Sequence, residues 1–195
     1  MSKFIIIEGP DRVGKDTQQN LIIKNFPNLA FHKVHYSSVP FDGEQGIEYS
    51  AKMYNDMFKM MMSCKDNDVN IIFNRSHLGE SVYSALYRGY NGDYIFDIED
   101  KYVNALRKNL YLITLVNDAK IIYKRDDGKS FYKFEEEVKA EVDGFKRAHK
   151  KSKIKNKLMM NVGTMSADEI SFIIKDFINN DSWHPDIDNQ LKLEI

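Results

Sequence analysis

The sequence predicts a three-layer α/β fold, with helices covering a five-stranded parallel sheet. Three observations carry this expectation. Five short apolar runs, residues 4–7, 31–35, 69–73, 110–116 and 158–162, alternate with longer stretches of helical period. Several of these runs are apolar at consecutive positions, as strands covered on both faces are. The first run leads through Glu8 into a loop of spacing Gly9-x4-Gly14-Lys15, and a helical pattern follows at once. Strand and helix alternating at this spacing build a layered, mostly parallel sheet.

The elements follow in order. After the opening strand and its loop, the stretch 46–62 predicts a helix carrying Tyr49, Tyr54, Phe58 and a run of methionines. Phe131, Phe134, Val138, Val142 and Phe145 recur at steps of three and four and predict one buried helix face. Ile170, Ile173, Ile174, Phe177 and Ile178 do the same near the end. Ser166 precedes that helix with Glu169 three residues on, a capping-box signature. The segment KRDDGKSFYK (124–133) is polar and charged around Gly128, and residues 181–195, with Trp183 and Pro185, read as an irregular tail. No repeat or low-complexity tract divides the chain, so residues 1–195 are expected to form one domain.

Composition narrows the partners. A chain of 195 residues, 43% hydrophobic and 29% charged, supports one sizeable core. A formal net charge of -1 supplies no global positive field for a nucleic-acid backbone. The lysine-rich KRAHKKSKIKNK (146–157) lacks interleaved aromatics, so nucleic acid is not expected and small molecules, or a second copy, are. Cys64 is the single cysteine, which excludes an intrachain disulfide and leaves no zinc framework. No run approaches the ~20 apolar residues of a membrane span. The first run is too short for a signal peptide, so the expected setting is cytoplasmic.

The opening loop has the geometry for a polyphosphate. In Gly9, Pro10, Asp11, Arg12, Val13, Gly14, Lys15, Asp16 and Thr17, glycine permits close backbone approach, successive amides wrap the anion, and Lys15 reaches the outer phosphates. The following helix turns its positive end to the same place. Asp16 stands where a Ser or Thr normally gives its hydroxyl to Mg²⁺, and two roles are open to it. Its oxygens suit a hard cation, directly or through water, or it points away as a first-turn acid. Thr17 still has a hydroxyl for a phosphate oxygen.

With FIIIEGPDRVGKDTQ read in full, the chain resembles the thymidylate kinases, which phosphorylate thymidine monophosphate. IIFNRSHLGESVY (71–83) is similar to the family's strand-end Asp-Arg motif and its helix, YSAKMY (49–54) to its base-holding segment, and YKRDDGKSF (123–131) to its mobile lid. The resemblance runs along essentially the whole chain. It implies a P-loop NTPase fold with a small lid at 124–133, ATP as donor, Mg²⁺, a nucleotide acceptor and a homodimer. It implies a catalytic set of Arg12, Lys15, Arg75 and Arg125. Lys15 and the loop hold ATP phosphates, Arg12 stabilises the transferring group, Arg75 grips the acceptor's phosphate and the lid carries Arg125 over the site. Tyr49, Tyr54 and Tyr83 border the acceptor, while Asp16 and Asn74, which both depart from the family's residues, are the candidates beside the metal, as a carboxylate moved from strand end to loop. Each has a plainer alternative: a solvated loop for Arg12 and the lid, a surface ion pair for Arg75, core packing for the tyrosines.

Two departures from the family pattern matter. Asn74 replaces the aspartate before the arginine, and Lys52 and Met53 stand where the family typically sets an arginine against the base. Strict thymine selectivity is therefore not implied. Two other readings stay open. A deoxynucleoside kinase would activate a sugar hydroxyl and gain from a carboxylate within reach. The loop HYSSVPFDGE (35–44) offers none at the strand end itself, only Asp42 and Glu44 soon after. A nucleotide-binding module without catalysis is the third, and the Asp16 and Asn74 departures feed it.

Overall fold

The structure, a computed structural model, describes residues 2–128 and 130–180. Its strands are β1 (Phe4–Glu8), β2 (Phe31–His35), β3 (Asn70–Asn74), β4 (Leu110–Val116) and β5 (Asn156–Asn161). All pair in parallel, in the order β2-β3-β1-β4-β5. Every residue of β1, β3 and β4 is buried, the apolar positions as strands covered on both faces require and the polar Glu8, Asn70, Asn74 and Thr114 with them. The edge strands differ from expectation. In β2, His32, Lys33 and His35 are exposed, and β5 is only partly buried, because an edge strand has a neighbour on one side alone.

Chain order places β3 on one side of β1 and β4 on the other. Such a reversal leaves a crevice outside the carboxyl end of the central strand, where ligands of open α/β sheets bind. Register aligns that edge: Ile7 lies opposite Asn74, and Glu8 opposite Thr114. The loop after β1, the end of β3 and the end of β4 therefore open on one crevice.

Seven helices complete the described residues: α1 (Lys15–Asn25), α2 (Gly43–Cys64), α3 (Leu78–Tyr87), α4 (Ile95–Asp100), α5 (Ala119–Lys124), α6 (Glu135–Lys151) and α7 (Ala167–Asn179). In α2 the buried residues Ser50, Tyr54, Met57, Phe58 and Met61 repeat at helical spacing and turn one face inward. Helix α3 packs against α6 closely enough that a Cβ on Gly144 would lie 2.8 Å from Val82 Cγ1. Helix α1 packs against α7, where Asn25 Nδ2 donates to Ser171 Oγ at 2.7 Å. The capping box of α7 is as expected: Glu169 N–H donates to Ser166 Oγ at 3.2 Å, and Ser166 N–H to Glu169 Oε2 at 2.7 Å.

The helix face expected from Phe131 onward is corrected. Phe131 and Phe134 are 52% and 62% exposed, and only Val138, Val142 and Phe145 of that series are buried. Glu137 explains the break. Its Oε2 accepts the backbone N–H of Lys133 at 2.5 Å and of Phe134 at 3.2 Å, so the helix starts behind both aromatics. Among the described residues, no helix is long and apolar enough to cross a membrane. The tail expected over 181–195, and Lys129 of the charged segment, lie outside the described residues.

Candidate functional site

The loop from Gly9 to Gly14 turns on backbone angles that few residues adopt. Gly9 has φ 138°, and a Cβ there would sit 2.0 Å from the Leu115 carbonyl oxygen, so only glycine lets the loop pass the end of β4. Gly14, with φ 90°, caps α1. Lys15 follows, 5% exposed, and its Nζ donates to the Gly9 and Pro10 carbonyls at 2.9 and 2.6 Å. The lysine thereby closes its own loop into a ring. Burial, opposed by nearby Asp11, holds its ammonium down to about 8.

Around this loop lies a cavity of about 360 Å³, within the range of small-molecule sites. Asp11, Arg12, Gly14, Lys15, Asp16, Thr17, Arg75 and Arg125 line it. Three arginines and a lysine from three parts of the chain thus converge where polyanion charge would lie. Arg12 pairs with Asp127 of the charged segment, and Arg75 Nη2 donates to Asp11 Oδ1 at 2.6 Å. The backbone N–H of Arg75 donates to the Ile7 carbonyl at 2.9 Å, tying the end of β3 to β1.

Asp16 and Asn74 meet, although 58 residues apart in sequence: Asn74 Nδ2 donates to Asp16 Oδ1 at 2.6 Å. Asn74 Oδ1 is buried without a partner. Among the described residues, no group of three or more His, Cys, Asp or Glu is placed to hold a metal. A carboxylate, an unpartnered amide oxygen and the Thr17 hydroxyl still fit Mg²⁺, which keeps few protein ligands and completes its shell with water and phosphate.

A second cleft continues from the first, with Asp11 and Arg75 lining both. Tyr54 and Tyr83, both expected beside an acceptor, line it; Tyr49 does not. Tyr49 is 44% exposed and its ring stands edge-on against Phe41, 5.4 Å between centroids. The cleft also holds residues that sequence reasoning missed: Glu8, Tyr36, Ser76, Glu80, Arg88 and, from the charged segment, Phe131. Position at the carboxyl end of β1 was a signal for Glu8. Glu80, in the first turn of α3, and Arg88, directly after its last residue, gave no signal of spacing.

Glu8 is 1% exposed, and its Oε1 accepts the N–H groups of Leu78 and Gly79 at 3.0 and 3.3 Å. It anchors the positive end of α3. Burial pushes its carboxyl upward in spite of those bonds, and Oε2 has no partner. Ser76, His77 and Glu99 form a buried chain, Ser76 Oγ to His77 Nδ1 at 2.9 Å and His77 Nε2 to Glu99 Oε2 at 2.8 Å. That chain fixes the backbone directly after Arg75. Phe131 closes the outer side, its ring stacked on Tyr87 at 5.5 Å and tilted against Tyr83 at 6.1 Å.

No family model and no curated protein matches the sequence. Solved structures do match in fold. The chain is similar to Bacillus subtilis YorR protein in complex with phosphorylated GDP, with a TM-score of 0.64 and 19% identity over 91% of this chain and 96% of that one. It is similar to thymidylate kinase from Candida albicans, with a TM-score of 0.63 and 16% identity over 91% of each chain. Thymidylate kinase from Ehrlichia chaffeensis gives a TM-score of 0.60 and 15% identity over 90% of this chain and 97% of that one. At these identities the likeness is one of fold: the α/β arrangement of the P-loop NTPases, with an all-parallel sheet of five strands.

Proposed function

We propose that the protein is a nucleoside-monophosphate kinase that transfers the γ-phosphoryl group of ATP to thymidine monophosphate. One observation carries the reading: Arg75 lines both the phosphate-loop cavity and the adjoining aromatic cleft, so a single guanidinium borders donor and acceptor sites. Transfer between two phosphates needs positioning and positive charge more than a base. In this reading the loop amides and Lys15 hold the donor's phosphates, and Arg75 holds the acceptor's phosphate in its planar fork. Arg12 and Arg125 set charge against the equatorial oxygens of the transferring group. Asp16 and Asn74 would hold Mg²⁺, which when bound neutralises the donor's phosphate oxygens. Residues 124–133 act as a lid that excludes water, with Phe131 as its contact to α3.

The similar structures support a nucleotide as ligand, since one contains phosphorylated GDP and two are thymidylate kinases. The Candida albicans enzyme is described as broad in substrate specificity, and the absence of an arginine in YSAKMY supports breadth here too.

Glu8 favours a second reading. Its carboxylate, with Oε2 unpartnered at the cleft, is the acid that a sugar-hydroxyl kinase needs and that the loop after β2 does not offer at its strand end. An ADP-release assay with thymidine monophosphate, thymidine or no acceptor separates the possibilities. Turnover with the monophosphate alone supports the proposal, turnover with thymidine moves the assignment to Glu8 as base, and turnover with neither leaves a nucleotide-binding module.

A further inference from the structure

The lining of the aromatic cleft includes a buried ion pair, Glu80 with Arg88, to which the transfer step assigns no role. Glu80 is 1% exposed, and its Oε1 accepts hydroxyl hydrogen bonds from Tyr90 at 2.7 Å, Tyr94 at 2.9 Å and Ser50 at 3.0 Å. Its Oε2 lies 2.9 Å from Arg88 Nη2, an ion pair rather than an aligned hydrogen bond. Burial raises the Tyr90 hydroxyl to about 12 and Tyr94 further, so both remain protonated donors to the carboxylate. The Arg88 guanidinium also lies over the Tyr90 ring, 5.6 Å from its centroid.

Arg88 is thus held from two sides, and its Nη1 is buried without a partner. Such a donor is costly to leave unmade, and native structures seldom leave one without reason. Glu80 and Arg88 both line the cleft that Arg75 enters. The fork can only donate. Thymine and uracil present O4, and guanine O6, as acceptors at the position where cytosine and adenine carry an amino group, while N7 is an acceptor on both purines and does not discriminate. An amino group facing Nη1 would leave two buried donors opposed, the kind of mismatch that sites reject strongly.

The geometry points to Arg88 as the residue that reads the acceptor's base, selecting oxo bases (thymine, uracil, guanine) over amino bases (cytosine, adenine), with Glu80 as its positioning residue. The inference rests on the monophosphate-kinase reading of the cleft and deepens it.

The test is kcat/KM for dTMP, dUMP, dGMP, dCMP and dAMP with ATP, on the full chain. Wild type should favour the oxo acceptors by about 10- to 100-fold. Arg88→Met alone strands a buried carboxylate, so the matched variant is Glu80→Gln with Arg88→Met, its folding checked by thermal melting. That variant should narrow the preference to about threefold, through a higher KM for the oxo acceptors. If it does not fold, Arg88→Lys, which keeps the charge but loses the fork, is held to the same criterion. A wild type without oxo preference, or a folded variant that keeps it, overturns the base-reading role and leaves the kinase reading intact. If no acceptor turns over, the kinase reading falls instead. Calorimetric affinities for the same five nucleotides then decide the Arg88 assignment by the same ratios.

Discussion

Arg12 and Arg75 share an unusual backbone: each has φ 65°, in the left-handed region that a residue with a Cβ seldom enters. Strain of that kind persists where surrounding contacts impose it, and it clusters at functional sites. Their partners differ, and so do their expected effects. Arg75→Ala should raise the acceptor's KM by about 10- to 100-fold, the worth of hydrogen bonds to a charged group. Arg12→Ala should lower kcat by about 100-fold with little change in KM, because its contact strengthens as charge develops. Steady-state kinetics with each substrate varied will show the split, and small, equal effects would contradict the assigned roles. Lys15 yields a pH prediction. Its ammonium sits at about 8 in the free protein, and a bound polyphosphate favours the charged form. Nucleotide binding at pH 8 should therefore take up a proton and weaken above that pH. Calorimetry in two buffers of different ionisation enthalpy measures the uptake, and none would mean that Lys15 does not meet the phosphates. Asp16→Asn should raise the Mg²⁺ concentration needed for half-maximal rate; an unchanged requirement assigns Asp16 to the helix start.

At the scale of elements, the contact between α3 and α6 supports both the cleft and its outer wall. Tyr87 OH donates to Glu141 Oε1 at 2.7 Å across it, and Gly144 lets the helices close. Val82 is fully buried and, as a β-branched helix residue, has few rotamers to retreat into. Gly144→Ala should therefore cost about 1–3 kcal/mol of stability despite alanine's better helix propensity. Chemical denaturation will measure it, and a stabilised variant would mean that α6 shifts freely. The same pair of helices shows where sequence reading runs out. Glu135 to Lys151 is amphipathic and readable as a helix, yet the periodic spacing extends upstream to Phe134 and Phe131, which belong to the loop. Periodicity ignores where the first turn is capped, and here Glu137 sets that point through two backbone amides. Phe131 instead packs on Tyr83 and Tyr87 of α3, a contact no local pattern predicts.

For the whole molecule, two buried groups on α6 tilt stability in opposite directions with pH. Burial raises Glu141 from 4.5 to about 7, so between these values the folded chain keeps a proton that the unfolded chain has released. That contribution is fully present below pH 4.5 and is lost as pH rises to 7. Burial, with nearby Lys157, lowers His149 from 6.5 to about 4; its Nδ1 meets Thr114 Oγ1 at 2.8 Å. Its contribution is present above pH 6.5 and is lost as pH falls to 4, since the unfolded chain binds the extra proton. The two slopes offset each other across their overlap. Glu141→Gln should leave a stability that climbs with pH through that window, and His149→Asn one that declines. Urea midpoints against pH test both, and two variants with parallel profiles would remove the account.

The strand–helix alternation, the glycine loop with Lys15, the capping box of α7 and the position of Arg75 at a strand end were legible in the sequence. Each depends on local spacing and on backbone angles that particular residues permit. Tertiary structure alone brought Asp16 to Asn74, turned Glu8 onto the start of α3, left Tyr49 outside the cleft and set Glu80 and Arg88 in its lining. Asp16 reaches Asn74 because α1 lies against β3, and Glu8 reaches α3 because that helix starts beside the end of β1. Which buried polar groups meet depends on contacts between segments distant along the chain, to which local periodicity carries no pointer.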